Sequence, residues 1–177
     1  MRISIIVPCY NEQAVLKLFY VEIVKVLEKI TNNYELLFVD DGSQDSTLSI
    51  IKTLCINNSH IKYIAFSRNF GKEAAMYAGF CNVDADYVAV MDADMQDPPS
   101  LLPEMIQILE SGKYDSVATR RKNREGEPPI RSWCARKFYQ LINKISDADI
   151  VDGARDFRLM ELLIFRKFLL VLHHGVE

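Results

Sequence analysis

Tyr34-Glu-Leu-Leu-Phe-Val-Asp-Asp-Gly-Ser-Gln-Asp-Ser-Thr47 is the stretch whose reading decides the fold. Residues 34–39 are almost continuously apolar, the mark of a parallel strand covered on both faces. Asp40-Asp-Gly-Ser43 then turns the chain, and Ser43 or Asp45 is suited to cap a helix over 45–57. The same unit recurs on either side. Ile3–Val7, Ile61–Phe66, Tyr87–Met91 and Ser116–Thr119 are further short apolar runs that read as strands. Glu12–Ile30 repeats apolar residues at helical spacing (Val15, Phe19, Ile23, Val26, Ile30), with Asn11 as the expected N-cap. Residues 71–82 and 99–111 are the remaining helix candidates, the last introduced by Pro98-Pro99-Ser100. Alternation of this kind predicts an α/β fold: one open, mostly parallel sheet with helices on both faces.

The chain has 177 residues and a mass of 20.3 kDa, a size that suits one domain with its own core. Hydrophobic residues make up 49% and charged residues 25%, which excludes a disordered, collagenous or disulfide-scaffold protein. Net charge is −3 and the pI about 5.7, so the chain is not a nucleic-acid binder of the basic kind. The average hides an asymmetry: residues 120–144 carry eight Lys or Arg against two Glu, a local +6, which leaves −9 on the rest.

Cys9, Cys55, Cys81 and Cys134 form no Cys-x-x-Cys pair, which fits reduced, mostly buried thiols in a cytosolic protein. The run Ile3–Val7 stops at Pro8, too short for a signal-peptide core. No uncharged stretch approaches the length of a membrane span, and Leu159–Leu172 is broken by Glu161, Arg166 and Lys167.

In an α/β sheet, function sits at the carboxyl ends of the strands, near a switch in strand order. Three acidic clusters fall there: Pro8-Cys-Tyr-Asn-Glu12, Asp40-Asp-Gly-Ser43 and Asp92-Ala-Asp-Met-Gln96. No Gly-x-Gly-x-x-Gly exists, and Gly71-Lys72 lacks the rest of a P-loop. If a nucleotide binds, carboxylates and a metal must therefore handle its phosphates. In an extended segment Asp92 and Asp94 would point the same way, and Gln96 could add a third oxygen for Mg²⁺ or Mn²⁺. The bland alternative is a solvated turn before Pro98-Pro99.

Asp40 and Asp41 close an apolar strand, where one carboxylate could accept from a base or ribose; a capped turn explains the segment equally well. Arg120, Arg121, Lys122, Arg124 and Arg131 are either a solvated face or a phosphate grip. A helix over 131–145, with Trp133, Phe138 and Tyr139 among Arg136, Lys137 and Lys144, fits either core packing or an anionic membrane surface. His60, His173 and His174 form no ligand pattern, and no nucleophile elbow is present.

Four ordered segments, Val7–Glu12, Val39–Thr47, Ser67-Arg-Asn-Phe-Gly-Lys-Glu73 and Met91–Pro98, resemble the family 2 glycosyltransferases of GT-A fold. With Gly153-Ala-Arg-Asp-Phe-Arg-Leu-Met160, the chain is most similar to the transferases that load sugars onto polyprenyl phosphates. The resemblance covers residues 2–160 and implies a UDP- or GDP-sugar donor. Pro8, Tyr10, Asn11, Glu12, Asp40, Asp41, Gly42, Lys72 and Asp92 would lie on the donor side. Asp92, Asp94 and Gln96 would ligate Mg²⁺ or Mn²⁺ against the diphosphate. Arg120 and Arg131 would meet an acceptor phosphate, and Asp156 would stand beside the acceptor as a candidate base.

A phosphate monoester, with a second pKa of about 6, is already mostly dianionic at neutral pH and needs positioning more than deprotonation. A sugar hydroxyl acceptor would instead require a carboxylate base. The resemblance thus implies an inverting, metal-dependent hexosyltransferase acting on a polyprenyl phosphate. Transfer to a saccharide hydroxyl, or donor binding without turnover, are the alternatives. The expected organisation is a catalytic domain over 1–160 and an atypical apolar tail over 161–177. Such family members continue past this point, so the chain reads as truncated. The tail is expected to pack on the sheet domain, on a second copy of the chain, or flat on a membrane. The expected location is the cytoplasm, at the inner face of the cytoplasmic membrane.

Overall fold

β1 (Ile3–Cys9), α1 (Leu16–Ile30), β2 (Tyr34–Asp40), α2 (Thr47–Asn57), β3 (Ile61–Ala65), α3 (Lys72–Asn82), β4 (Tyr87–Val90), α4 (Leu102–Glu110), β5 (Ser116–Arg120) and β6 (Ala154–Glu161) follow in chain order. A short 3₁₀ turn, Pro99–Leu101, leads into α4. This is a computed structural model that describes residues 1–120 and 154–163.

The strands form one sheet in the order β3-β2-β1-β4-β6-β5. β1 pairs in parallel with β2 and β4, and β2 in parallel with β3. β6 runs antiparallel between β4 and β5. The sequence reading gave the five parallel strands and missed this sixth. The strand order reverses between β1 and β4, which opens a crevice at the carboxyl ends of the two.

Every residue of β2 is buried, as its nearly continuous apolar run requires. Its one internal charge, Glu35, is held by Arg2 (3.6 Å), by Lys62 and by the Ser4 hydroxyl, which donates at 3.4 Å. On one face, Ile3, Ile5 and Val7 of β1 and Leu36 and Phe38 of β2 meet Phe19 and Ile23 of α1, Ile51 of α2, and Met105 and Leu109 of α4. Phe19 and Phe38 meet edge to face with ring centroids 6.4 Å apart. On the other face, Ile6, Leu37, Val39, Val88 and Val90 meet Ala75 and Phe80 of α3. Full burial of each such side chain is worth about 1.5–3 kcal/mol.

The structure departs from the sequence reading in four further places. β3 is an edge strand with Lys62, Tyr63 and Ala65 exposed, so it is not covered on both faces. α1 starts at Leu16 rather than near residue 12, so Asn11 does not cap it. α2 begins at Thr47; Ser43 takes no part in its start, while Asp45 Oδ1 does accept from the Thr47 amide at 2.9 Å. Of the described cysteines, Cys9 is buried, Cys55 partly so and Cys81 exposed; all three are free thiols. The basic loop 121–130, the helix expected over 131–145, Arg131, Cys134 and the tail from 164 onward lie outside the described residues. Among the described residues no helix is long and apolar enough to cross a membrane.

Candidate functional site

Two loops at the carboxyl edge are knitted together by side chains. The Asn11 amide donates to Ser43 Oγ (3.0 Å), the Glu12 amide to Thr47 Oγ1 (2.8 Å) and the Gln13 amide to Asp45 Oδ2 (3.2 Å). In return the Gln44 amide donates to Asn11 Oδ1 (2.9 Å) and the Ser46 amide to Gln13 Oε1 (3.0 Å). These loop amides, which no helix or strand ladder serves, are satisfied across the loops instead. Asn11 sits at φ +57°, a left-handed conformation that asparagine tolerates better than most residues. Burial pushes the Asp45 carboxyl up, but the Thr47 and Gln13 bonds outweigh it and leave it below the usual carboxylate range.

Beside these loops lies a cleft of about 400 Å³ lined by side chains that include Pro8, Tyr10, Glu12, Asp41, Lys72, Asp92 and Asp94. These are the residues the sequence singled out that the fold brings together. The pleat is not what aligns Asp92 with Asp94. β4 ends at Val90, the chain turns at Ala93–Asp94, and Met95 takes φ +60°. The Gln96 amide closes that turn on Asp94 Oδ1 at 3.0 Å. Gln96 itself is exposed and does not line the cleft.

Asp41, 3% exposed, accepts from two backbone amides: Phe70 at 2.7 Å and Gly71 at 3.0 Å. Lys72 Nζ lies 2.7 Å from Asp92 Oδ2. Among the described residues, no Lys or Arg forms an ion pair with Glu12 or Asp94 in the same cleft. Burial raises the Glu12 carboxyl above its usual range, and the negative charges of Asp94, Asp92 and Asp45 raise it further. Burial also pushes the Cys9 thiol well up, with Glu12, Asp40 and Asp92 adding to the effect. Among the described residues, four carboxylates against one lysine make this part of the cleft electronegative and cation-seeking.

Of the remaining sequence candidates, Asn11, Asp40 and Gly42 stand outside the lining. Asp40 is 1% exposed; its Oδ2 accepts from the Ser43 amide at 3.3 Å, and its Oδ1 has no partner among the described residues. Gly42 (φ +69°) packs against the next loop, where a Cβ would stand 2.4 Å from the Arg68 carbonyl carbon. Asn11 is spent on Gln44. Arg120 ends β5, and Asp156 lies on β6 where that strand carries extra residues between the Ala118–Arg158 and Arg120–Ala154 pairs. Val90 pairs with Arg158, so the backbone of residue 156 extends past the end of β4, toward the cleft edge. Sequence reasoning passed over Cys9, Asn69, Gly71 and Ala75, which also line the cleft. The signal for Asn69 and Gly71 was the position of Asn69-Phe-Gly-Lys72 at the start of a helix.

The Glycosyl transferase family 2 model matches residues 4–169. The CsbB glycosyltransferase of Bacillus subtilis (strain 168) is 48% identical over 158 residues, 89% of this chain and 47% of the relative. A prophage bactoprenol glucosyl transferase homolog of Escherichia coli (strain K12) is 36% identical over 160 residues, 90% of this chain and 52% of that one. The chain thus spans about half the length of the relatives it matches. Among solved structures, the Pyrobaculum calidifontis mannosyltransferase PcManGT, in complex with GDP-Man and Mn²⁺, superposes with a TM-score of 0.67 at 18% identity, over 94% of this chain and 46% of that one. Staphylococcus aureus TarS 1–349 gives 0.63 at 19% identity, over 95% and 49%. The fold is therefore of the GT-A type, and the chain belongs to glycosyl transferase family 2.

Proposed function

We propose that this chain is the donor-binding part of a transferase that moves a hexose, glucose by the names of its relatives, from a nucleoside diphosphate sugar to a polyprenyl phosphate. The observation that carries the reading is the single cleft in which Glu12, Asp41, Asp92, Asp94 and Lys72 converge beside the β1/β4 switch. Relatives named bactoprenol glucosyl transferase, 37% identical over 160 residues, support the acceptor class. Structural neighbours described with UDP or GDP-Man support a pyrimidine or purine nucleoside diphosphate donor.

The donor set fits a divalent cation. Glu12 and Asp94 are hard oxygen donors in one electronegative cleft. That is the arrangement in which one or two carboxylates hold Mg²⁺ or Mn²⁺ while phosphate oxygens and water complete the shell. Asp94 would hold the ion, with Glu12 or Asp92 beside it. Bound there, the ion would supply a charge sink for the departing diphosphate.

The protein's own groups do the rest. Pro8 and Tyr10 form the apolar side of the cleft for a base, and Lys72 offers a second positive charge to the diphosphate. Asp92, held by Lys72, faces the ribose or the ion. Arg120 and Asp156 share the strand-end edge where an acceptor phosphate would approach; Arg131 joins them in this reading by resemblance. An acceptor that is already dianionic calls on arginine for placement and on Asp156 for orientation.

The test is transfer from radiolabelled UDP-glucose or GDP-mannose to a detergent-solubilised polyprenyl phosphate, with Mn²⁺ and with EDTA, alongside calorimetry for each nucleotide. Metal-dependent nucleotide binding and a labelled lipid are expected. Equal nucleotide binding in Mn²⁺ and EDTA would overturn the metal assignment. Binding without transfer would leave a donor module.

A further inference from the structure

We infer that Asp41 is a positioning residue that works through the loop 68–71 and sets Lys72 against the diphosphate side of the cleft. The inference rests on the donor reading above. Both carboxylate oxygens of Asp41 are engaged by the backbone of that loop, Oδ1 by the Phe70 amide and Oδ2 by the Gly71 amide. A charge-assisted bond from a carboxylate to a backbone amide is about twice as strong as a neutral one. Asp41 is itself fixed, its amide donating to the Cys9 carbonyl at 2.8 Å.

Gly71 follows at φ +100° and its carbonyl accepts from Ala75, the first turn of α3. Lys72 is the first residue of that helix, and its ammonium reaches Asp92 at 2.7 Å. Gly42 closes the arrangement from below, since only a residue without Cβ fits against Arg68 and Asn69. The path from Asp41 through Gly71 to Lys72 is thus one continuous set of hydrogen bonds and short backbone steps. Asp41 shapes one wall of the cleft whether or not it also touches a base.

Asp41→Asn is the informative variant. An amide keeps the size and one acceptor oxygen but turns an N–H₂ donor toward the second backbone amide. Two readouts decide the matter. Amide hydrogen exchange at Phe70 and Gly71 should accelerate in the variant. Calorimetry with Mn²⁺-pyrophosphate, a probe without base or ribose, should show an affinity loss of about tenfold or more, matching a lost charge-assisted contact. Lys72→Met should lose as much, and the double variant no more than Lys72→Met alone, because the two changes act on one contact.

If Asp41→Asn binds Mn²⁺-pyrophosphate like wild type and loses only UDP or GDP affinity, Asp41 acts on the base and the inference is overturned. If wild type binds neither UDP, GDP nor pyrophosphate, the donor reading fails. Amide exchange still decides then: unchanged rates at Phe70 and Gly71 would overturn the clamp as well, whereas faster rates would uphold it.

Discussion

Lys72 Nζ and Asp92 Oδ2 meet at 2.7 Å across the cleft, joining the first turn of α3 to the segment after β4. Both side chains are about one-third exposed, so the pair adds little to stability, about 0–1 kcal/mol. Its importance is the charge it places. Lys72→Met should leave the melting temperature within about 2 °C of wild type. It should weaken Mn²⁺-UDP binding by about tenfold. Bare Mn²⁺ should bind better, because Asp92 is released from its partner. Calorimetry with the ion alone and with the nucleotide would show these opposite signs.

Asp94→Asn should abolish most of the metal-dependent part of nucleotide binding while the fold survives. The residue is exposed at a turn, so the substitution disturbs no packing. The measurement is UDP or GDP affinity in Mn²⁺ and in EDTA. The variant should give nearly the same value in both, where wild type should differ by at least about tenfold.

Glu12 gives a pH prediction. Its folded-state pKa is raised by burial first, then by Asp94, Asp92 and Asp45. The ionised side chain therefore destabilises the metal-free protein, and stability falls as pH rises from the ordinary carboxylate range through the folded value. Glu12→Gln should melt higher than wild type at pH 7 without metal, and the gap should close below about pH 4.5. Saturating Mn²⁺ should reverse the order at pH 7. Thermal melts at both pH values, with and without the ion, check each sign.

Gly42→Ala should be strongly destabilising, by about 2–4 kcal/mol, because it combines a φ of +69° with a Cβ 2.4 Å from backbone carbon. That corresponds to a fall of about 4–16 °C in melting temperature. Gly79→Ala makes a useful contrast. Its Cβ would also meet an atom at 2.4 Å, but that atom is Ile6 Cγ2 of a buried side chain rather than backbone, and Gly79 carries no positive φ. A milder loss of about 1–3 kcal/mol is expected.

The sequence disclosed the parallel strands because Ile3–Val7, residues 34–39 and Tyr87–Val90 carry their burial as nearly continuous apolar runs. β6 escaped because it alternates: Phe157 and Leu159 are buried while Arg158 between them is exposed. Its charges disguise a strand that uses one face. The acidic character of the cleft was legible, since Asp40, Asp41, Asp92 and Asp94 follow apolar runs. Their division of labour was not. That Asp41 would serve backbone amides 29 and 30 residues away, and Asp92 a lysine 20 residues before it, depends on how the loops meet in space. The caps failed for the same reason, since Asn11 and Ser43 are used across loops rather than on their own helices.

The antiparallel β6 also governs the order in which the sheet can be assembled. β1 to β4 can pair from a contiguous 90-residue segment, as right-handed crossovers do. Among the described residues β5 pairs with β6 and not with β4, and the first residue of β6 is encoded 34 positions later. A nascent chain that has reached Arg120 therefore holds β4 as an open edge and β5 without a neighbour. Closing it requires slow, non-local pairing across the intervening residues. During synthesis the exposed edge of β4 is open to pairing with another chain, and the arrival of residues 154–161 covers it.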